Sequence, residues 1–186
     1  MFSECIRLIS YFLFPENIMI FEKYLVPDLV LGSFREITPE LLVSRGIRFI
    51  LSDIDNTLVT YGDAVPTPDV LAFFAMLEKN GVRIGFLSNN HADRVDTFNR
   101  DLGYTAVADA GKPGTKKAKA AMEEMGAVPE DTLFLGDQLL TDAACAKQLG
   151  LFTVIVPPIK DRTDLFNKSK RVIEIPYMRR YRKNQK

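Results

Sequence analysis

Three features of this 186-residue chain predict an α/β fold, a parallel sheet with helices on both faces. The apolar runs are continuous rather than alternating, one helical pattern separates each from the next, and Thr-Pro pairs mark helix starts. Strands that are apolar throughout are buried on both faces, and a helix between successive strands is the crossover that parallel neighbours require.

Taken in order, Thr38-Pro39 is a cap followed by proline at the first helical position, and Ile47 to Leu51 reads as a buried strand. Thr67-Pro68 repeats the cap ahead of Val70, Leu71, Phe73, Phe74 and Leu77, a helical spacing that stops near Asn80-Gly81. Val82 to Leu87 is the next strand, Ala92 to Leu102 a helix, Thr105 to Ala108 a short strand and Thr115 to Met125 a helix. Leu133 to Leu135 reads as a strand, Leu139 to Leu149 as a helix ended by Gly150, and Phe152 to Val156 as the last strand before Pro157-Pro158. The result is a three-layer, Rossmann-like arrangement over residues 35–165. Residues 1–34 form an N-terminal extension, and residues 166–186 a basic tail.

Composition narrows the chemistry. Two cysteines, Cys5 and Cys145, do not make a disulfide scaffold or a cysteine zinc site, and the single histidine, His91, excludes centres built on two imidazoles. Carboxylates must carry any reaction. The formal net charge is zero, yet residues 170–186 hold seven Lys/Arg and one Glu, so the remainder is acidic. The tail suits an anionic membrane surface or is simply a solvated, frayed end. The apolar run from Phe2 to Phe14 is broken by Glu4 and Arg7 and is too short to span a bilayer. It is an amphipathic segment lying on a membrane or on the body, or residues 1–18 precede the true start at Met19.

In open parallel sheets, ligands bind beyond the carboxyl ends of the strands. The first such end carries Asp53-Ile54-Asp55-Asn56-Thr57, the second Ser88-Asn89-Asn90, the fourth Gly136-Asp137 with Asp142 beyond; Lys112 precedes the intervening helix. Two anions a few ångströms apart in a half-buried cleft demand a cation or a shared proton. An all-oxygen donor set suits a hard ion such as Mg²⁺. Each residue also has a plainer reading. Asp53 and Asp55 can cap a turn, Ser88 can be a turn hydroxyl, and Lys112 can share a solvated face with Lys116, Lys117 and Lys119. His91 reads as a helix-start or surface residue rather than a catalytic base, because none of these strand-end acids is placed to orient it, and Cys145 reads as packing. Gly111 to Thr115 lacks the spacing of a P-loop.

The ordered set Asp53-Ile-Asp55-Asn-Thr57, Ser88-Asn89, Lys112 and Gly136-Asp137 with Asp142 resembles the four motifs of the haloacid dehalogenase superfamily, over about residues 47–156. Leu25-Val-Pro-Asp28, Ser88-Asn-Asn90 and Gly136-Asp-Gln-Leu-Leu-Thr-Asp142 are similar to the YqeG-type phosphatases of subclass IIIA, a group related to mitochondrial phosphatidylglycerophosphate phosphatases. The resemblance implies an Mg²⁺-dependent phosphomonoester hydrolase with Asp53 as nucleophile and Asp55 as general acid and base. Ser88, the Asn89 backbone and Lys112 would hold the phosphoryl group. Asp53, the Asp55 carbonyl and Asp137 would hold the metal, with Thr57 and Asp142 in support. The same resemblance implies that dehalogenases lack an acid at position 55 and P-type ATPases carry Thr there, so it favours phosphoester hydrolysis over both.

Only 32 residues separate Asp55 from Ser88 and 23 separate Ser88 from Lys112, too few for the large cap domains of the superfamily. A capless, open site suits a phosphorylated group on something large, and phosphatidylglycerophosphate is the first substrate expectation. The expected setting is the cytoplasm, with peripheral contact at the inner face of a membrane. A cytosolic phosphatase of nucleotide, sugar or protein phosphates is one alternative. A non-catalytic RNA- or ribosome-binding module is another, although nucleic acid is not an expected partner.

Overall fold

The computed structural model describes residues 23–160 and 165–184, so the expectations for residues 1–18 lie outside the described residues. Among the described residues, six parallel strands form one sheet: β1 (Leu29–Val30), β2 (Phe49–Ser52), β3 (Arg83–Leu87), β4 (Ala106–Val107), β5 (Thr132–Gly136) and β6 (Phe152–Ile155). Their spatial order is β1-β6-β5-β2-β3-β4. The helices are α1 (Pro39–Ser44), α2 (Pro68–Lys79), α3 (Ala92–Asn99), α4 (Lys116–Met125), α5 (Ala144–Gln148) and α6 (Leu165–Asn184).

Both Thr-Pro signals start helices. Thr38 Oγ1 accepts the Leu41 N–H and Thr67 Oγ1 the Val70 N–H, at 3.3 and 3.4 Å, with proline in the first turn where its missing N–H costs nothing. In α2, Val70, Phe73, Phe74 and Leu77 are buried; Leu71, expected on the same face, is exposed.

Alternate residues of the central strands feed two cores. Ile50 of β2, Leu133 and Leu135 of β5, and Ile84 and Phe86 of β3 pack with α2 and α3 through Val70, Phe74, Val95 and Phe98. Phe49 and Leu51 of β2, Phe134 of β5 and Leu87 of β3 pack on the opposite face with Ala118, Met122 and Met125 of α4 and Cys145 of α5. All four residues of β2 are buried, the signature of a strand covered on both sides. Phe86 meets Phe74 and Phe98 with ring centroids 5.7 and 5.2 Å apart, tying α2 and α3 to the sheet.

Two segments differ from expectation. Leu29 and Val30, assigned from sequence to the N-terminal extension, form the edge strand β1 in register with Val154 and Ile155. A two-residue strand has no periodicity to read, and β6 supplies its pairing. The basic tail is not a frayed end: it is helical to Asn184 despite Pro176. Tyr177 is 3% exposed and packs with Leu25, Leu139, Ala143 and Ile155, and the Tyr181 hydroxyl accepts the Val30 N–H at 3.0 Å. Among the described residues, no helix is long and apolar enough to cross a membrane.

Candidate active site

The strand order places β2 between β5 and β3, with Ser52 in register with Leu135 on one side and Phe86 on the other. The residues that follow these strands therefore emerge side by side at one sheet edge. Asp53 continues the ladder for one more bond, its N–H donating to the Leu135 carbonyl at 2.9 Å. The chain then turns sharply. Asn56 has φ of 67°, a left-handed conformation that asparagine tolerates better than most residues, and its N–H bonds to Val59 at 2.6 Å.

Lys112 reaches this edge from the loop before α4. Its Nζ lies 2.8 Å from Asp53 Oδ1 and 2.7 Å from Asp142 Oδ1, and the residue is 6% exposed. The reading of Lys112 as a solvated lysine is thus excluded, whereas Lys116, Lys117 and Lys119 are exposed. Asn89 holds the Lys112 backbone from both sides: Oδ1 accepts its N–H at 2.8 Å and Nδ2 donates to its carbonyl at 3.0 Å. Ser88 is buried, and its Oγ accepts the Asn90 N–H at 3.0 Å. Thr57 Oγ1 lies 3.4 Å from Asp53 Oδ2.

Three buried carboxylates, Asp53, Asp137 and Asp142, present oxygens within 4.8 Å of one another. Burial pushes the Asp53 carboxyl up to about 6; Lys112 opposes the rise, and Asp142 and Asp55 add to it. Burial, then Asp142 and Asp53, hold Asp137 well above the usual carboxylate range. Burial disfavours the Lys112 ammonium, yet Asp142 and Asp53 outweigh it and raise Lys112 above the ordinary lysine value. One ammonium faces three carboxylates, so the cluster has a deficit of positive charge. Asp137 Oδ1 is buried with no hydrogen-bond partner among the described residues. An orphaned anionic oxygen beside two more carboxylates fits a divalent cation with oxygen ligands.

Asp142 is more central than its expected supporting role. Besides pairing with Lys112, its Oδ2 accepts the N–H groups of Asp137 and Gln138 at 3.2 and 3.0 Å. Gly136 permits this approach: a Cβ there would stand 2.6 Å from Asp142 Cγ. The Asp55 carboxylate stands apart from the acidic cluster. Oδ1 accepts from Arg94 Nε and Nη2 at 3.1 and 2.9 Å, and Oδ2 from Asn90 Nδ2 at 3.1 Å.

A family model of haloacid dehalogenase-like hydrolases matches residues 39–150, a span that contains every residue just described. The chain belongs to this family. The hydrolase is 32% identical over 153 residues to the "Probable phosphatase YqeG" of Bacillus subtilis, covering 82% of this chain and 89% of that protein. A phospholysine phosphohistidine inorganic pyrophosphate phosphatase of Xenopus laevis is 46% identical over 65 residues, 33% of this chain and 24% of that one. The crystal structure of an uncharacterized protein from Listeria monocytogenes serotype 4b superposes with a TM-score of 0.52 at 14% identity. It covers 64% of the hydrolase and 86% of its own chain, a likeness of fold.

The hydrolase also holds residues that the motifs did not point to. Arg94 sits in the first turn of α3, directly beyond the β3 strand end; a first-turn side chain so close to a strand terminus shares its edge, and that was the readable signal. His91 has an acidic partner outside the motif residues, Asp109, whose Oδ1 lies 2.8 Å from His91 Nδ1. The ring is 86% exposed and precedes α3, in keeping with a surface helix-start residue. Cys145 is fully buried, its thiol pushed up to about 11 by burial, and it serves packing.

Proposed function

We propose that this haloacid dehalogenase-type phosphatase hydrolyses phosphomonoesters in an Mg²⁺-dependent reaction through an aspartyl-phosphate on Asp53. The observation that carries the reading is the buried contact of Lys112 Nζ with Asp53 Oδ1 beside the unpartnered Asp137 oxygen. A carboxylate nucleophile, a charge-neutralising ammonium and a place for a cation meet at one point.

Asp53 Oδ attacks phosphorus while the bond to the ester oxygen breaks, and Asp55 delivers a proton to that departing oxygen. Asp55 then takes a proton from water as the water oxygen attacks phosphorus; the acyl-phosphate P–O bond breaks, restoring the Asp53 carboxylate and releasing phosphate. Ser88, the Asn89 N–H and Lys112 hold the phosphoryl oxygens, with Lys112 countering the charge that builds on them. Asp53, the Asp55 carbonyl and Asp137 would hold Mg²⁺, which when bound screens the phosphoryl charge from the acidic cluster. Thr57 steadies Asp53, and Asp142 steadies Lys112 and the Asp137 backbone.

Phosphatidylglycerophosphate is the substrate we favour. The interval from β2 to β3 holds only α2, and that from β3 to α4 holds α3 and β4, leaving the strand ends without an inserted domain among the described residues. Exposed Arg179, Arg182 and Lys183 on α6 suit peripheral contact with anionic lipid.

Release of phosphate from an aryl phosphate with Mg²⁺, abolished by chelation and by Asp53→Asn in a folded protein, is the expected result. Activity unchanged in Asp53→Asn would remove the nucleophile. Faster turnover of phosphatidylglycerophosphate in vesicles than of soluble esters is expected, and equal or better rates on soluble esters would overturn the lipid assignment.

A further inference from the structure

Four consecutive backbone N–H groups, from Asp137 to Leu140, are all taken by carboxylates. Asp142 Oδ2 accepts the first two, as described. Glu174 Oε1, arriving from α6, accepts the next two, from Leu139 at 2.8 Å and Leu140 at 3.4 Å. These amides open the helical segment that begins with the π-turn Leu139–Ala143 and continues into α5, and the first N–H groups of a helix have no partner within it. Asp142 lies inside that segment and cannot serve all four. The rest fall to a residue 35 positions away in sequence.

We propose that Glu174 is a positioning residue for the Asp137 loop: by holding the Leu139 and Leu140 amides, it fixes the backbone that presents Asp137 to the divalent cation. The inference rests on the proposed Mg²⁺ site and names the element that keeps it in shape. Glu174 is itself held in place. Tyr177, three residues on, is buried among Leu139, Ala143 and Ile155, and Tyr181, a further turn along the same helix face, is anchored to Val30 at the sheet edge. Glu174 and Tyr177 bind α6 to the π-turn, whereas Tyr181 binds it to β1, so the loop is held from outside by a helix that has its own attachment to the sheet edge. The charge of Glu174 also adds to the negative field at Asp137, which a cation relieves.

Outer residues that orient metal ligands typically account for 10–100-fold in metal affinity. Glu174→Ala in the full chain is therefore expected to raise the Mg²⁺ Kd about tenfold by calorimetry, and to speed amide hydrogen exchange at residues 137–140. KM for an aryl phosphate at saturating Mg²⁺ should stay unchanged. Glu174→Asp, one methylene too short to reach both amides, should show the same changes to a smaller degree; it decides the matter if the alanine variant does not fold. Tyr181→Phe removes another anchor of the helix without touching the loop, and should lower thermal stability while leaving the Mg²⁺ Kd at the wild-type value. Wild-type Mg²⁺ affinity in the folded Glu174 variants would overturn the inference, as would an equal loss in Tyr181→Phe, which would make α6 merely structural. A wild-type protein that binds no Mg²⁺ would overturn the metal-site reading and this inference together.

Discussion

Arg94 and Asp55 are 39 residues apart in sequence, yet Arg94 Nε and Nη2 both donate to Asp55 Oδ1, at 3.1 and 2.9 Å. A third donor, Arg94 Nη1, bonds the Ala64 carbonyl at 3.0 Å, so the guanidinium is pinned to the loop after the Asp55 turn. Asp55 is thereby aimed, and if it is the general acid of the proposed mechanism, its aim matters most where the departing oxygen most needs a proton. Arg94→Met should cut kcat on an alkyl phosphate by roughly 10–100-fold, part of the 10²–10⁴ that general acid–base catalysis supplies. An aryl phosphate, whose leaving group departs readily unprotonated, should lose much less. Equal losses on both esters would show that Arg94 does not act through Asp55.

Lys112 is the counterion of the carboxylate cluster. Lys112→Met keeps the stem and removes the charge, leaving Asp53 and Asp142 buried and unpaired, which costs about 3–5 kcal/mol. For a chain of this size the metal-free protein should melt about 10 °C lower. Added Mg²⁺ should restore part of the loss, because a cation held by Asp53 and Asp137 would offset some of the negative charge that the ammonium no longer balances. A melting temperature equal to the wild type would show that the pairs at 2.8 and 2.7 Å contribute nothing.

The fold was legible because its strands are buried on both faces, which leaves unbroken apolar runs such as residues 49–51, and because Thr67-Pro68 is a local cap that needs no tertiary contact. The parallel order then brought Asp53, Ser88 and Asp137 to one edge. What escaped depends on contacts that only the folded chain makes. Pro176 argues locally against a helix, since it removes a backbone donor, and α6 persists because Tyr177 and Tyr181 are anchored elsewhere. Leu29–Val30 becomes a strand only beside β6. Arg94 and Glu174 belong to no motif, although a lone acid in a run of basic residues was a mark that Glu174 carried in plain sight.

Proton uptake by Asp53 should make the metal-free protein less stable as pH rises. Its carboxyl titrates near 6 in the folded chain and near 3.8 in the unfolded one, so between these values the folded state binds the extra proton and stability falls with increasing pH. The shift has a ceiling on the order of 3 kcal/mol. Asp137, shifted the same way, adds to the slope. Glu40 and Asp63 are lowered by hydrogen bonds, from Thr38 and Thr60 respectively, and so act with the opposite sign; Glu40 is exposed and Asp63 lies half-buried at the surface, and both contribute little. Thermal melts in chelator from pH 4 to 7 should show this decline, with a shallower one in Asp53→Asn, and Mg²⁺ should stabilise the wild type more at pH 7 than at pH 5. A stability that rises through this window without metal would contradict the charge deficit of the cluster.

Gly136 and Gly85 both lack room for a side chain, and their difference gives a test of what the Asp137 loop requires. At Gly136 a Cβ would stand 2.6 Å from Asp142 Cγ and 2.7 Å from its Oδ2. Asp142 cannot retreat without releasing Lys112 and the Asp137 and Gln138 amides. At Gly85 the obstruction is chiefly Met125 Sδ, at 2.6 Å, the far part of an unbranched side chain that can swing aside. Overpacking costs typically about 1–3 kcal/mol at either position. Gly136→Ala should therefore lower stability, Mg²⁺ affinity and turnover together, because the strain falls on the carboxylate that organises the site. Gly85→Ala should lower stability at most, with turnover per folded molecule at the wild-type level. Calorimetric Mg²⁺ titration and phosphate release, each referred to the folded fraction, would distinguish the two, and a Gly136→Ala enzyme with wild-type affinity and rate would show that Asp142 does not need its observed position.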